Sequence, residues 1–358
     1  MGTPEFAVDS LKALVENHYH VVAVVTMPDK PVGRHHDTLQ ASPVKQYAVE
    51  QGIPVLQPEK LKDEAFLEEL RSYKADLQVV VAFRMLPEVV WAMPPMGTFN
   101  LHAALLPQYR GAAPINWAVI NGETETGVTT FFLDHDIDTG RIIHRVSSPI
   151  ADTDTVGDVY DRLMHLGADL VLRTVDDIAA GIIQPVDQST LVPASQSTLA
   201  SPTQSLVLGG LSADSLRPAP KLSRENTQIR WSQHTVKSAY DFIRGLSPYP
   251  GAWTTLRTAD GKETQLKIFF AEKCLDPDSS SNAEEHINSA ELQPDHTRSA
   301  EQPIPLVIRR VAGTEALLVP LRDGFLRITD LQLAGKRRMQ ASDFLRGARL
   351  DGAYFLSL

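Results

Sequence analysis

The sequence predicts an α/β fold, a mostly parallel sheet with helices on both faces, followed by a smaller all-β module. Three observations carry this. Over roughly the first 180 residues, short β-rich runs alternate with helical patterns across short connections, as in successive βαβ units. From 186 to 220 that alternation dissolves into Ser, Thr, Gln, Pro and Gly. Beyond 221 come strand-like runs divided by turns, the pattern of a small barrel or sandwich.

Each element has a local reason. VVAVVT (21–26), LQVVVAF (77–83), GTFNLH (97–102) and GVTTFFL (127–133) are short apolar runs of buried-strand type. Residues 5–17, 42–52, 62–73 and 114–122 carry helical periodicity, and Ser42-Pro43 reads as an N-cap followed by the first helical position. Residues 153–181 form a long amphipathic helix closed by Gly181. The stretch 186–220, in which QSTL occurs twice, reads as a linker, disordered in part. In the second module QLKIFFA, IPLVIRRV, EALLVPL and GFLRITDLQL are the strands, and the acidic, Ser-rich 275–302 is a loop. The expected domains are 1–185, a linker 186–220, and 221–358. The start MGTPEFA is a turn opening a helix with no strand before it. Either the sheet lacks its first strand or the true start lies upstream.

Composition narrows the class. A 358-residue chain suits two domains, and 43% hydrophobic with 22% charged residues is a soluble globular balance. No run of 18 apolar residues and no signal-peptide pattern occurs, so no membrane partner is expected. The single cysteine, Cys274, excludes an internal disulfide framework and fits a reducing cytoplasm. The net charge of −10 argues against a generic nucleic-acid binder, but it is unevenly spread. Residues 1–220 hold 15 Lys and Arg against 27 Asp and Glu, whereas 221–358 outside 272–301 hold 17 against 9.

The chemistry sits in FNLHAALLPQYRGAAP (99–114). Asn100 and His102 are two apart on a strand, so they share a face, at the carboxyl end where open α/β sheets place their ligand crevices. The turn that follows supplies backbone groups and Arg110, and LDHDIDTG (133–140) ends the next strand in acids, one of which should approach His102. An amide, an imidazole and a carboxylate at one crevice suit acyl transfer without a covalent intermediate. The amide donates to a developing oxyanion, the protonated imidazole passes a proton to the departing nitrogen, and the carboxylate orients the ring. Spacing alone also allows ordinary hydrogen-bonded strand-end residues, and a surface loop or weak cation site at the Asp-rich turn.

GTPEFA, MPDKPVGR, SPVK, FNLHAALLPQYRGAAPINWAVING, ETGVTTFFLDHDIDTG and KLSRENTQIRW together resemble the methionyl-tRNA formyltransferase family. The likeness spans nearly the whole chain and returns in LQLAGKRRMQASDFL (331–345). It implies a Rossmann-like formyltransferase domain followed by an open, OB-like barrel that binds tRNA. It also implies 10-formyltetrahydrofolate as donor, initiator methionyl-tRNA as acceptor, no metal, and a monomer. Asn100, His102 and Asp138 fall on the family's catalytic trio, and Ala104, Leu105, Leu106 and Pro107 on its folate-binding turn. Ala104 stands where relatives carry Ser, so one hydroxyl contact is absent. Arg34 matches an arginine that reaches the tRNA acceptor end, and Lys336 and Arg337 are candidate phosphate contacts. Relatives also carry a strand before the first turn, which favours an upstream start.

Two alternatives remain open on these residues, a formyltransferase acting on a nucleotide-linked amino sugar and a catalytically silent tRNA- or folate-binding protein. His35 and His36 stand where many relatives have lysines. Affinity for tRNA should therefore strengthen as histidine protonates between pH 8 and pH 6, measured by filter binding at fixed salt. An affinity constant across that range would contradict it.

Overall fold

A computed structural model describes residues 1–32, 38–191, 216–274, 304–311, 314–348, 350 and 352–356. Most of the expected linker and the expected acidic loop lie outside them, as do Arg34, His35 and His36. The chain divides into two compact units, one of residues 1–114, 125–149 and 160–220, the other of 115–124, 150–159 and 221–358.

In chain order the first stretch runs α1 (Phe6–Glu16), β1 (Val24–Val25), β2 (Lys30–Val32), β3 (Thr38–Gln40), α2 (Pro43–Glu50), β4 (Val55–Leu56), α3 (Glu64–Ser72) and β5 (Gln78–Val81). It continues with α4 (Glu88–Trp91), β6 (Thr98–His102), α5 (Pro114–Ile120), β7 (Glu125–Phe132), β8 (Ile142–Pro149) and α6 (Val156–Ala179). The cap expected at Ser42 forms, its Oγ accepting from Lys45 N at the start of α2, and the structure adds a second, the Asp63 carboxylate accepting from Phe66 N at the start of α3. β1 pairs with β4 and β5 with β6, both parallel, while β7 and β8 extend the order β5-β6-β7-β8 antiparallel.

Met1 and Gly2 span the gap between β1 and β5. Gly2 N donates to Val25 O at 3.1 Å, Val81 N donates to Met1 O at 2.9 Å, and Gly2 bridges Val81 in parallel. An apolar cavity of about 540 Å³ opens beside this bridge, lined by Met1, Leu11, Leu14, Val25, Val79 and Val175 among others. Burial holds the Met1 amino group down at about 5. Among the described residues no helix is long and apolar enough to cross a membrane.

The second unit is an antiparallel sheet built from β9 (Ala252–Arg257), β10 (Glu263–Cys274), β11 (Ile304–Pro305), β12 (Val307–Val311), β13 (Thr314–Leu321), β14 (Gly324–Leu333), β15 (Met339–Gln340) and β16 (Tyr354–Phe355). Its order is β11-β16-β9-β10-β14-β13-β12, and β11 at one end returns against β13 near the other, so the sheet is a nearly closed barrel. α7 (Val236–Arg244) packs on it and α8 (Ala341–Gly347) lies against β13 and β14. Trp231 is 1% exposed and stacks on Phe355 with ring centroids 5.2 Å apart, so it belongs to the core. Trp253 is half-buried, with the Arg224 guanidinium 5.1 Å above its ring.

α7 explains why two stretches from early in the chain cluster with the barrel. Asn116 Nδ2 donates to Gly245 O at 2.9 Å, and a Cβ at Gly245 would meet Ile120 N at 2.7 Å. Arg244 donates through Nη1 to Ala151 O and Asp154 O at 3.1 and 2.8 Å, and through Nε to Asp241 Oδ1 at 2.8 Å. Both Arg244 and Asp241 are buried. A buried ion pair adds little net stability over an apolar pair, but breaking one partner strands the other charge. Arg244→Met should therefore destabilise the protein by about 3–5 kcal/mol in urea denaturation, and adding Asp241→Leu should recover part of that loss.

Candidate active site

β6 is paired on both edges, parallel to β5 and antiparallel to β7, and the register sets Asn100 opposite Val80 and Phe131 and His102 opposite Thr129. Thr98, Phe99, Leu101 and His102 are buried, and only Asn100 is partly open. A strand enclosed on both faces has no ordinary use for an amide and an imidazole, and this is the oddity visible in the sequence. The two side chains share a face because strand side chains alternate.

His102, 6% exposed, bonds through Nε2 to Tyr109 O at 2.8 Å. A carbonyl only accepts, so Nε2 is the donor and carries a proton. Nδ1 is then the nitrogen directed at Asp138, whose Oδ2 stands 3.9 Å away. That separation is beyond direct hydrogen bonding and leaves room for one bridging water. Asp138 comes from the turn after β7 and takes a left-handed backbone, φ 56°. Its Oδ2 also accepts from Gly111 N at 2.9 Å. Gly140, two residues on, cannot be replaced: a Cβ there would stand 1.7 Å from Phe132 O. The Asn100 side chain has no hydrogen-bond partner among the described residues, so its amide is uncommitted.

The turn at Ala104, Leu105, Leu106 and Pro107 is held by side chains that sequence reading did not single out. Thr129 Oγ1 donates to Ala104 O at 2.6 Å and accepts from Leu106 N at 3.2 Å. Arg145 Nη1 donates to Leu106 O at 3.0 Å, and burial holds this guanidinium below its ordinary pKa. Thr129 follows from the register, one position across from His102; the only sequence signal was a Thr pair inside an apolar strand. Arg110 is likewise lowered by burial, against the opposing pull of Asp138. It donates through Nε and Nη2 to Gln188 Oε1 at 3.1 and 2.6 Å.

The other candidates belong to the second unit or fall outside the described residues. Lys336 and Arg337 are exposed on the β14–β15 turn of the barrel unit, and Arg34 lies outside the described residues. Lys336 N donates to Leu333 O at 3.0 Å, closing that turn. Arg338 beside them is engaged, with Nε 2.6 Å from Asp330 and its guanidinium over Phe269 and Phe270.

Residues 1–175 match the formyl transferase family, and residues 221–349 match the formyl transferase C-terminal domain. A solved N-formyltransferase from Helicobacter canadensis, in complex with folinic acid and dTDP-3-aminofucose, shares the fold. It aligns with TM-score 0.54 and 20% identity over 94% of this chain and 97% of its own. The fold and the sequence together define a formyl transferase. Among the relatives, the methionyl-tRNA formyltransferase of Parabacteroides distasonis is 54% identical over 99% of this chain and 96% of its own length. That of Phocaeicola vulgatus is 56% identical over 98% and 94%. The chain belongs to the methionyl-tRNA formyltransferase family.

The turn's dependence on one hydroxyl is measurable. Thr129→Val keeps the volume but leaves Leu106 N buried without an acceptor, and should cost about 1–3 kcal/mol of stability. Thr129→Ser retains the hydroxyl and should keep most of it, read from urea midpoints of the two variants.

Proposed function

We propose that this enzyme transfers a formyl group from 10-formyltetrahydrofolate to the α-amine of methionyl initiator tRNA, in the cytoplasm and for translation initiation. The observation that carries the reading is the approach of the His102 Nδ1 edge to Asp138 at the end of the strand bearing the uncommitted Asn100 amide. The excess of bases in residues 221–358 outside 272–301, 17 Lys and Arg against 9 Asp and Glu, fits a polyanionic acceptor.

In this reading the substrate amine attacks the formyl carbon, and the new C–N bond forms as the bond from that carbon to the folate N10 breaks. Asn100 donates its side-chain N–H to the carbonyl oxygen as negative charge develops there. His102 stabilises that charge when protonated and delivers the proton that N10 takes up on leaving. Asp138 faces the imidazole and relays the proton lost by the amine through the water that a 3.9 Å gap admits. Ala104, Leu105, Leu106 and Pro107 hold the folate through backbone groups, on a turn already stiffened by Thr129 and Arg145. Residues 1–185 are then the catalytic domain, 186–220 the linker, and 221–358 the tRNA-binding module, with Arg34, Lys336 and Arg337 on phosphates. The enzyme acts as a monomer and without a metal ion.

The test is transfer of label from 10-formyltetrahydrofolate to three acceptors presented separately: charged initiator tRNA, charged elongator tRNA and an amino-sugar nucleotide. Label on initiator tRNA alone is expected, and label on the sugar alone would overturn the assignment. Asn100→Ala and His102→Ala should each lower the rate by about 10²-fold or more, measured by single-turnover transfer to initiator tRNA.

A further inference from the structure

Gln188 is 1% exposed and opens a short 3₁₀ turn, Gln188–Leu191, in a stretch whose composition reads as linker. Its carboxamide uses every hydrogen-bonding position it has. Nε2 donates to Asp138 O and to Gly140 O, both at 2.8 Å. Oε1 accepts from Arg110 Nε and Nη2 at 3.1 and 2.6 Å. The orientation of the amide is settled by its partners, since two carbonyls can only accept and a guanidinium can only donate.

We propose that Gln188 is a positioning residue for formyl transfer, one that fixes Asp138 by gripping both ends of its turn and ties that turn to the loop carrying Arg110. The geometry gives it this role for a physical reason. Asp138 sits in the left-handed region, which a non-glycine residue holds only when its surroundings fix it there. Its carboxylate has one short bond, from Gly111 N, and that donor belongs to the same loop as Arg110. Gln188 is therefore a second link between the turn and the loop, beside the Gly111 contact. Without it the His102–Asp138 distance loses one of the contacts that set it.

The far side of the same segment reinforces the loop. Tyr109 N donates to Arg217 O at 2.7 Å, and Ala112 N and Ala113 N donate to Ala219 O at 2.7 and 3.2 Å. Arg217 N in turn donates to Gln108 Oε1 at 2.8 Å. Neither Gln188 nor residues 217–219 fall within the residues matched to the formyl transferase family.

The inference rests on the proposed role of Asp138, and the experiment separates the two. Gln188→Leu in the full chain should lower kcat for transfer to initiator tRNA by about tenfold or more, leaving both KM values within about twofold. In an Asp138→Asn background the same substitution should remove less than about twofold further, because its effect runs through Asp138. Equal losses in the two backgrounds would mean a general structural role and would overturn the proposal, as would an unchanged kcat. Gln188→Glu guards against a variant that fails to fold. It keeps an acceptor for Arg110 but sets a carboxylate against two carbonyls, and should reproduce the kcat loss; wild-type kcat in that variant would also overturn the proposal. If Asp138→Asn alone left activity intact, the reading of Asp138 would fail first, and that of Gln188 with it.

Discussion

A buried imidazole must have its ring nitrogens answered, and the bond from His102 Nε2 to Tyr109 O is the constraint on which the rest of the site depends. To deliver that carbonyl, the chain leaving β6 has to fold back over its own strand end within seven residues. Tyr109 takes a left-handed backbone to do so, φ 58°. Gly111 follows at φ 129°, where a Cβ would lie 2.4 Å from Ala219 O. The same reversal aims Gly111 N at the Asp138 carboxylate. One hydrogen bond thus fixes the tautomer of the ring, the path of the loop and the placement of an acid that lies a strand away.

Around this core the protein commits its polar groups unevenly. The backbone of the turn at 104–106 is bound to Thr129 and Arg145, and the carbonyls flanking Thr139 are bound to Gln188. The Asn100 amide is left without such an engagement. The polar groups that hold the two turns are bonded within the protein, while the partly open Asn100 side chain has no such partner among the described residues. That division suits the oxyanion-donor role proposed for Asn100, since a donor already in place need not reorient as charge develops.

Much of this was legible in the residues. Alternation along GTFNLH put Asn100 and His102 on one face, and the apolar runs around them marked a strand end near a crevice. Ser42-Pro43 announced a helix start that forms as read. β8 and the β2–β3 pair gave weaker signals, because IIHRVSSP mixes polar and apolar residues without a clean period, whereas α7 was legible in Val236, Ala239, Tyr240 and Ile243 at helical spacing behind Thr235. Gln188 was illegible for a stronger reason. Nothing in its neighbours distinguishes a glutamine that will be buried from one in a polar connector; only contacts some 50 to 80 residues away confer its burial. The membership of 115–124 and 150–159 in the barrel unit was hidden in the same way, behind Arg244 and Asn116.

The two anchors on either side of 192–215 carry a consequence for how such a chain can change over time. Gln188 before this stretch and residues 217–219 after it are both bound within the first unit. The two ends of the intervening chain are therefore held within one unit. Adding residues between fixed ends costs little in closure entropy, about 0.6 kcal/mol for each doubling of length. Changes of length between the anchors should thus be cheap, while the anchors themselves tolerate almost none. The boundary between what is free to drift and what is fixed would then run through the middle of one connector, not at the edge of a domain.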